Sequence, residues 1–226
     1  MQLRLASNRP PVEDAYCSAH AYLTLPRTIF ADRYQLGDDL FLASKNLTVL
    51  RYMTQPVDLE APEYTTAPWG SAVLLELSPP KGEQPEPWTA EIPLHLRYLA
   101  PGVGGYRAIE IPYPAVFWAC ASEEGTKFPT NPFDRVNLGY DGLFGPRTVF
   151  WHVDPHPEVG ARLANSITVP VLDTEQAAWV NVGTAAVAFL GFAWVVFRLV
   201  VAFLRTGYIH DEPVSSEIPS KEKKEQ

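Results

Sequence analysis

Apolar and polar positions alternate with period two in HAYLTL at residues 20–25 and in EIPLHLRY at residues 91–98, where Ile92, Leu94, Leu96 and Tyr98 would share one face. That period puts successive side chains on opposite faces of an extended chain and predicts half-buried strands. Other segments are continuous runs rich in β-branched and aromatic residues: LTVLRY from Leu47, SAVLLEL from Ser71, YRAIEI from Tyr106, AVFWAC from Ala115, RTVFWHV from Arg147 and ITVPV from Ile167. Turn-forming stretches such as SPPKGEQPEP and APGVGG separate them. About eight strands at this spacing predict an all-β fold, an antiparallel β-sandwich. No segment before residue 176 carries a helical repeat, and there is no internal repeat.

The pattern changes at Gln176. From there to Phe197 no residue is charged, and AAWVNVGTAAVAFLGFAWVVF is apolar on every face. At roughly 1.5 Å per helical residue the stretch crosses a hydrocarbon core of about 30 Å, which predicts one transmembrane helix over residues 177–204. Arg198 lies near one end of the span, where its stem can reach the headgroups, and so reads as an anchor. Lysine and arginine are absent from Leu163 to Phe197 but follow at Arg198, Arg205 and in SKEKKEQ, so the positive-inside rule predicts a cytosolic carboxyl side. The expected organisation is a disordered start over residues 1–14, a lumenal domain over 15–173, the span, and a cytosolic tail over 205–226. In the tail, Lys223 and Lys224 of KKEQ resemble the dilysine retrieval signal of type I endoplasmic reticulum proteins, an address read by a receptor. MQLRLASNRPPVED lacks the apolar core of a signal peptide. Either the anchor itself directs insertion, or the chain begins downstream of a further segment.

Composition narrows the function. A net charge of −8 without a basic patch argues against a nucleic-acid partner. The 22 prolines are interspersed with apolar runs and punctuate strands rather than marking low complexity. Cys17 and Cys120, the two cysteines, permit one disulfide in an oxidising lumen. Asn46-Leu47-Thr48 is a glycosylation sequon compatible with a lumenal loop.

Candidate chemistry is sparse. In HVDPH, His152, Asp154 and His156 would face one way on an extended chain and offer donors that metals accept, but polar residues at a strand end explain them as well. Asp134, Asn137 and Asp141 of NPFDRVNLGYDG do not match the calcium-loop spacing and read as a structured turn. Glu123 and Glu124, like Asp38 and Asp39, are neighbours that an extended chain points to opposite faces, so neither pair suits a glycosidase. No nucleophile elbow, Walker A loop or dinucleotide fingerprint occurs. The reading is therefore of no catalytic residue, no metal and no cofactor. Within the span, Thr184, Ala188 and Gly191 lie on one helical side, where small residues let a partner helix approach, and Asn181 could add an interhelical hydrogen bond. In the domain, His95, Arg97 and Tyr98 are candidates for contact with a lumenal partner, because histidine and arginine are unusual inside an alternating strand unless they hydrogen-bond something, and pairing inside the sandwich explains them at least as well.

Several stretches together resemble one family. LTLPRTIFADRYQL, DLEAPEY, PLHLRYLAP with Tyr106 and IEIPYPAVFWAC, NPFDRVNLGYDGLFGPRTVFWHVDP, and VPVLDTEQAAWVNVGT leading into the helix are similar to the PIG-X family and its fungal counterpart. The resemblance runs from about His20 to the end of the helix, and the HLRY and FWAC blocks are its most specific parts. It implies a non-catalytic subunit of glycosylphosphatidylinositol (GPI) mannosyltransferase I in the endoplasmic reticulum. There a PIG-M-type subunit transfers the first mannose from dolichol-phosphate mannose, and the PIG-X-type subunit stabilises it. Two other classes fit parts of the pattern: a single-pass lectin-like cargo receptor with a β-sandwich lumenal domain, and a lumenal hydrolase using HVDPH as a metal site.

Overall fold

The computed structural model describes residues 1–54, 58–82, 84–123, 130–134, 140–157, 159–160 and 162–207. They fall into two units, Met1–Asp173 and the segment from Thr174 onward. In the first unit the strands are β1 (Gln2–Leu5), β2 (Cys17–Leu25), β3 (Ile29–Phe30), β4 (Leu47–Met53), β5 (Ser71–Leu77), β6 (Trp88–Glu91), β7 (His95–Leu96), β8 (Tyr106–Pro112), β9 (Ala115–Ala121), β10 (Thr148–Val153) and β11 (Ala164–Pro170), with one short helix, α1 (Asp39–Ser44). The second unit is a single helix, α2 (Thr174–Gly207).

Five strands form an antiparallel sheet in the order β10-β9-β2-β5-β4, and three two-stranded antiparallel ladders, β1-β6, β8-β11 and β3-β7, supply the other layer. Alternation decides which side chain goes where. Ala19, Ala21, Leu23 and Leu25 of β2, Val73, Leu75 and Leu77 of β5, and Trp118 and Cys120 of β9 join Leu3, Leu5, Trp88, Ile109 and Ile111 of the ladders in the main core. The opposite face of the same strands carries Tyr22, Ala72, Leu74, Phe117 and Ala119, packed against Phe133, Tyr140 and Phe150. Because the central strands are covered on both sides, they read as continuous apolar runs rather than clean alternation. The aromatic rings meet edge to face, as with Phe117 and Phe133 at 5.4 Å and Phe144 and Phe150 at 5.2 Å, the arrangement their quadrupoles favour. The all-β class and the antiparallel arrangement are those the pattern predicts, followed by one long apolar helix.

Three local expectations differ. Residues 2–5 are ordered: QLRL has its own period of two, and Leu3 and Leu5 turn inward once β6 supplies a partner. A helix precedes β4, too short for its repeat to be read from sequence. Asp38 caps it, its Oδ1 accepting from Leu40 N (3.0 Å) and Phe41 N (3.2 Å), and Leu42 is buried beneath it. The EIPLHLRY segment does not keep one face. Pro93 interrupts it, β6 ends at Glu91, and β7 pairs with β3 as Phe30↔His95 and Ile29↔Leu96. Ile92 is buried, whereas Leu96 and Tyr98 are exposed and Arg97 is buried.

Candidate functional site

This reversal of faces sets the surroundings of His95, Arg97 and Tyr98. His95 stacks on Phe30 with ring centroids 5.4 Å apart, and its Nε2 lies 2.9 Å from Gln35 Oε1. The Arg97 guanidinium sits 4.6 Å from the centre of the Phe30 ring, and its Nη1 donates to Asp58 O (2.6 Å) and Ala61 O (2.7 Å). Both side chains therefore have partners inside the domain. Arg97 is buried and His95 half-buried, so these contacts accord with pairing inside the sandwich, the second of the two readings of this strand. Tyr98, 82 % exposed, stays on the surface.

Arg97 is one clasp on the segment 58–66, and a second is an ion cluster that sequence reading missed. The Glu63 carboxylate is buried, and it accepts from Arg27 Nε at 2.7 Å and from Arg107 Nη1 and Nη2 at 2.8 and 3.1 Å. The hydrogen bonds from Arg107 hold the Glu63 pKa below the usual carboxylate range, ahead of the opposing effect of burial, and the Arg27 charge adds to the lowering. Glu63 N donates to Tyr98 O (2.9 Å), and Thr66 Oγ1 donates to Glu63 O (2.8 Å) and toward Arg27 O (3.4 Å). The only sequence signal was DLEAPEY among the blocks of family resemblance. A carboxylate neutralised by two guanidiniums is fitted to hold a loop rather than to take a proton from a substrate.

On the aromatic face, His20 is wholly buried, with Nδ1 3.1 Å from Ser18 O and Nε2 4.0 Å from Glu76 Oε2. Burial lowers its pKa to about 4, outweighing the Ser18 hydrogen bond, so the ring is neutral at pH 7. Glu76 is instead held by Arg51, whose Nε donates at 2.7 Å. Burial likewise raises the pKa of Tyr140, which neighbours Tyr22 and Tyr52 in the same cluster.

His152 Nδ1 lies 3.4 Å from Asp154 Oδ1, while Asp154 and His156 are exposed beyond the end of β10. Among the described residues no group of three or more histidine, cysteine, aspartate or glutamate side chains is placed to hold a metal ion. Phe133 and Tyr140 of NPFDRVNLGYDG are buried plugs of the aromatic face, with Asp134 and Asp141 exposed beside them. Asn137 and Glu124 lie outside the described residues, as do Lys223 and Lys224. A disulfide joins Cys17 to Cys120, which are in register on β2 and β9. Asn46 follows α1 with φ +57°, and its Nδ2, the atom a glycan would take, donates to Thr89 O (2.8 Å).

In α2, Thr184, Ala188 and Gly191 are exposed, and Thr184 Oγ1 donates to Val180 O of its own helix (2.8 Å). A Cβ added at Gly191 would meet nothing within 4 Å. Residues 174–205 are long and apolar enough to cross a membrane, with mean hydropathy 2.4 and none of the most apolar stretch buried within the protein.

Among the described residues, an antiparallel β domain is thus followed by one unburied apolar helix long enough to cross a membrane. The chain belongs to the PIG-X / PBN1 family, whose model matches residues 1–200. It is 63 % identical to Protein pbn1 of Neurospora crassa over 223 residues, covering 99 % of this chain and 44 % of that protein. It is 59 % identical to Protein PBN1 of Gibberella zeae over 206 residues (91 % and 41 %) and 34 % identical to Protein PBN1 of Yarrowia lipolytica over 224 residues (93 % and 41 %). The chain thus spans about two fifths of the length of these relatives. No solved structure matches it.

Proposed function

We propose that the chain is the β domain and anchor of a non-catalytic, stabilising subunit of GPI mannosyltransferase I, serving the addition of the first mannose to the GPI precursor in the endoplasmic reticulum. The observation that carries this reading is the PIG-X / PBN1 match over residues 1–200, which takes in the whole β domain and most of α2. The charge asymmetry around the span supports a lumenal domain, and the Cys17–Cys120 disulfide suits an oxidising lumen. The partner is a PIG-M-type catalytic subunit. A protein that binds only the folded form of such an enzyme shifts its folding equilibrium by mass action and protects it from degradation.

The test is depletion. Microsomes lacking the protein are assayed for the amount of the PIG-M-type subunit and for mannose transfer to glucosaminyl-phosphatidylinositol. The expected result is that both fall together and recover when the catalytic subunit is overproduced. Unchanged enzyme and unchanged transfer would overturn the reading.

A further inference from the structure

The turn at residues 101–106, PGVGGY, is fastened to the last residues before the span. Gly102 N donates to Leu172 O (3.0 Å), Val171 N donates to Gly105 O (2.9 Å), and Gly102 bridges to Asp173. Gly104 and Gly105 take φ of +76° and +73°, a conformation that side chains with a Cβ disfavour, and the turn they make carries Val103 outward. Val103 is 88 % exposed, and Tyr98, Tyr106 and Leu172 are exposed with it. No residue from Tyr98 to Tyr106, or from Leu163 to Leu172, is charged.

We propose that this turn is a membrane-surface contact, with Val103, Tyr106 and Leu172 seated at the boundary between lipid headgroups and acyl chains. Continuity of the chain names the occupant. The apolar run of α2 starts at Ala177, so at 1.5 Å per residue Asp173 lies no more than about 6 Å from the hydrocarbon edge, within a headgroup layer about 5–7 Å deep. Gly102 is bridged to Asp173, which tethers the turn beside that residue. Tyrosine is enriched at that level because its ring is apolar and its hydroxyl is wet, and valine gains by leaving water there. The absence of lysine and arginine from the turn makes the contact independent of anionic lipid. The proposal depends on α2 crossing a bilayer and not on the mannosyltransferase reading.

The test uses the full chain in phosphatidylcholine vesicles with a spin label at Val103→Cys, compared with Leu40→Cys on α1, an exposed site packed near β4. No native free thiol competes for the label. Power saturation compares collisions with oxygen, which concentrates in lipid, against a water-soluble nickel chelate. The expected result is a several-fold higher oxygen-to-nickel ratio at Val103 than at Leu40, unchanged by adding anionic lipid. Equal ratios at the two sites, whether both wet or both shielded, overturn the proposal and leave the turn free for a protein partner.

Discussion

Glu63 and His20 are the two side chains whose surroundings most change what they do. Glu63 is 1 % exposed between Arg27 and Arg107, so replacing it leaves two guanidiniums without their carboxylate. Glu63→Gln is expected to cost about 3 kcal/mol, less than a fully buried pair would because both arginines are partly solvated. Denaturant unfolding of the chain in detergent reads this directly, and a loss well under 1 kcal/mol would refute the clasp. The pH dependence has a definite sign. The lowered Glu63 pKa means its contribution is complete above the unfolded carboxylate value of about 4.3 and is lost as pH falls through the lower folded value. His20 acts in a higher window: with a folded pKa of about 4 against 6.5 unfolded, the unfolded chain binds the extra proton first, so stability falls as pH drops from 6.5 toward 4. His20→Phe is expected to flatten unfolding midpoints across that window, and an unaltered slope would place the titration elsewhere. Neither role is legible locally, since Glu63 and Arg107 are 44 residues apart and meet only through the fold.

At the scale of elements, the continuous apolar strands and the long span were legible because their patterns extend over many residues. β1 and α1 were not, since a four-residue strand and a six-residue helix take their stability from β6, the Asp38 cap and the buried Leu42. The turn from α1 into β4 depends on Asn46, which holds φ +57° where glycine or asparagine commonly ends a helix, and which also ties the turn to Thr89. Asn46→Ala is expected to cost about 1–2 kcal/mol, and Asn46→Gly less because it keeps the backbone freedom. Thermal unfolding of both variants separates the contributions: equal losses would assign the whole effect to the Thr89 hydrogen bond. In EIPLHLRY the period-two reading failed because Pro93 broke the ladder and a new strand began in a different pairing.

At the scale of the whole molecule, two units present different surfaces: a β domain with cores on both faces of one sheet, and a helix whose apolar surface is unburied. An apolar helix with small residues on one side is suited to partner packing, since lipid offers no hydrophobic drive between helices and close approach must supply the attraction. On the proposed function, substituting leucine at Ala188 and Gly191 is therefore expected to weaken copurification of a PIG-M-type subunit by several-fold. Undiminished copurification would move the contact to the β domain, where Tyr98 is exposed.

The sequence by itself determined the strand-rich class, the single long apolar helix and the resemblance to the PIG-X family, because each is written in patterns that repeat or extend along neighbouring residues. The tertiary structure alone decided that Arg97 is buried against Phe30 and that Glu63 joins Arg27 to Arg107. It alone brought the turn at 101–106 onto the residues before the span. The physical reason is range. A strand's period follows from local backbone geometry, whereas a charge is buried or a turn is pinned only when residues tens of positions away supply the compensating hydrogen bonds.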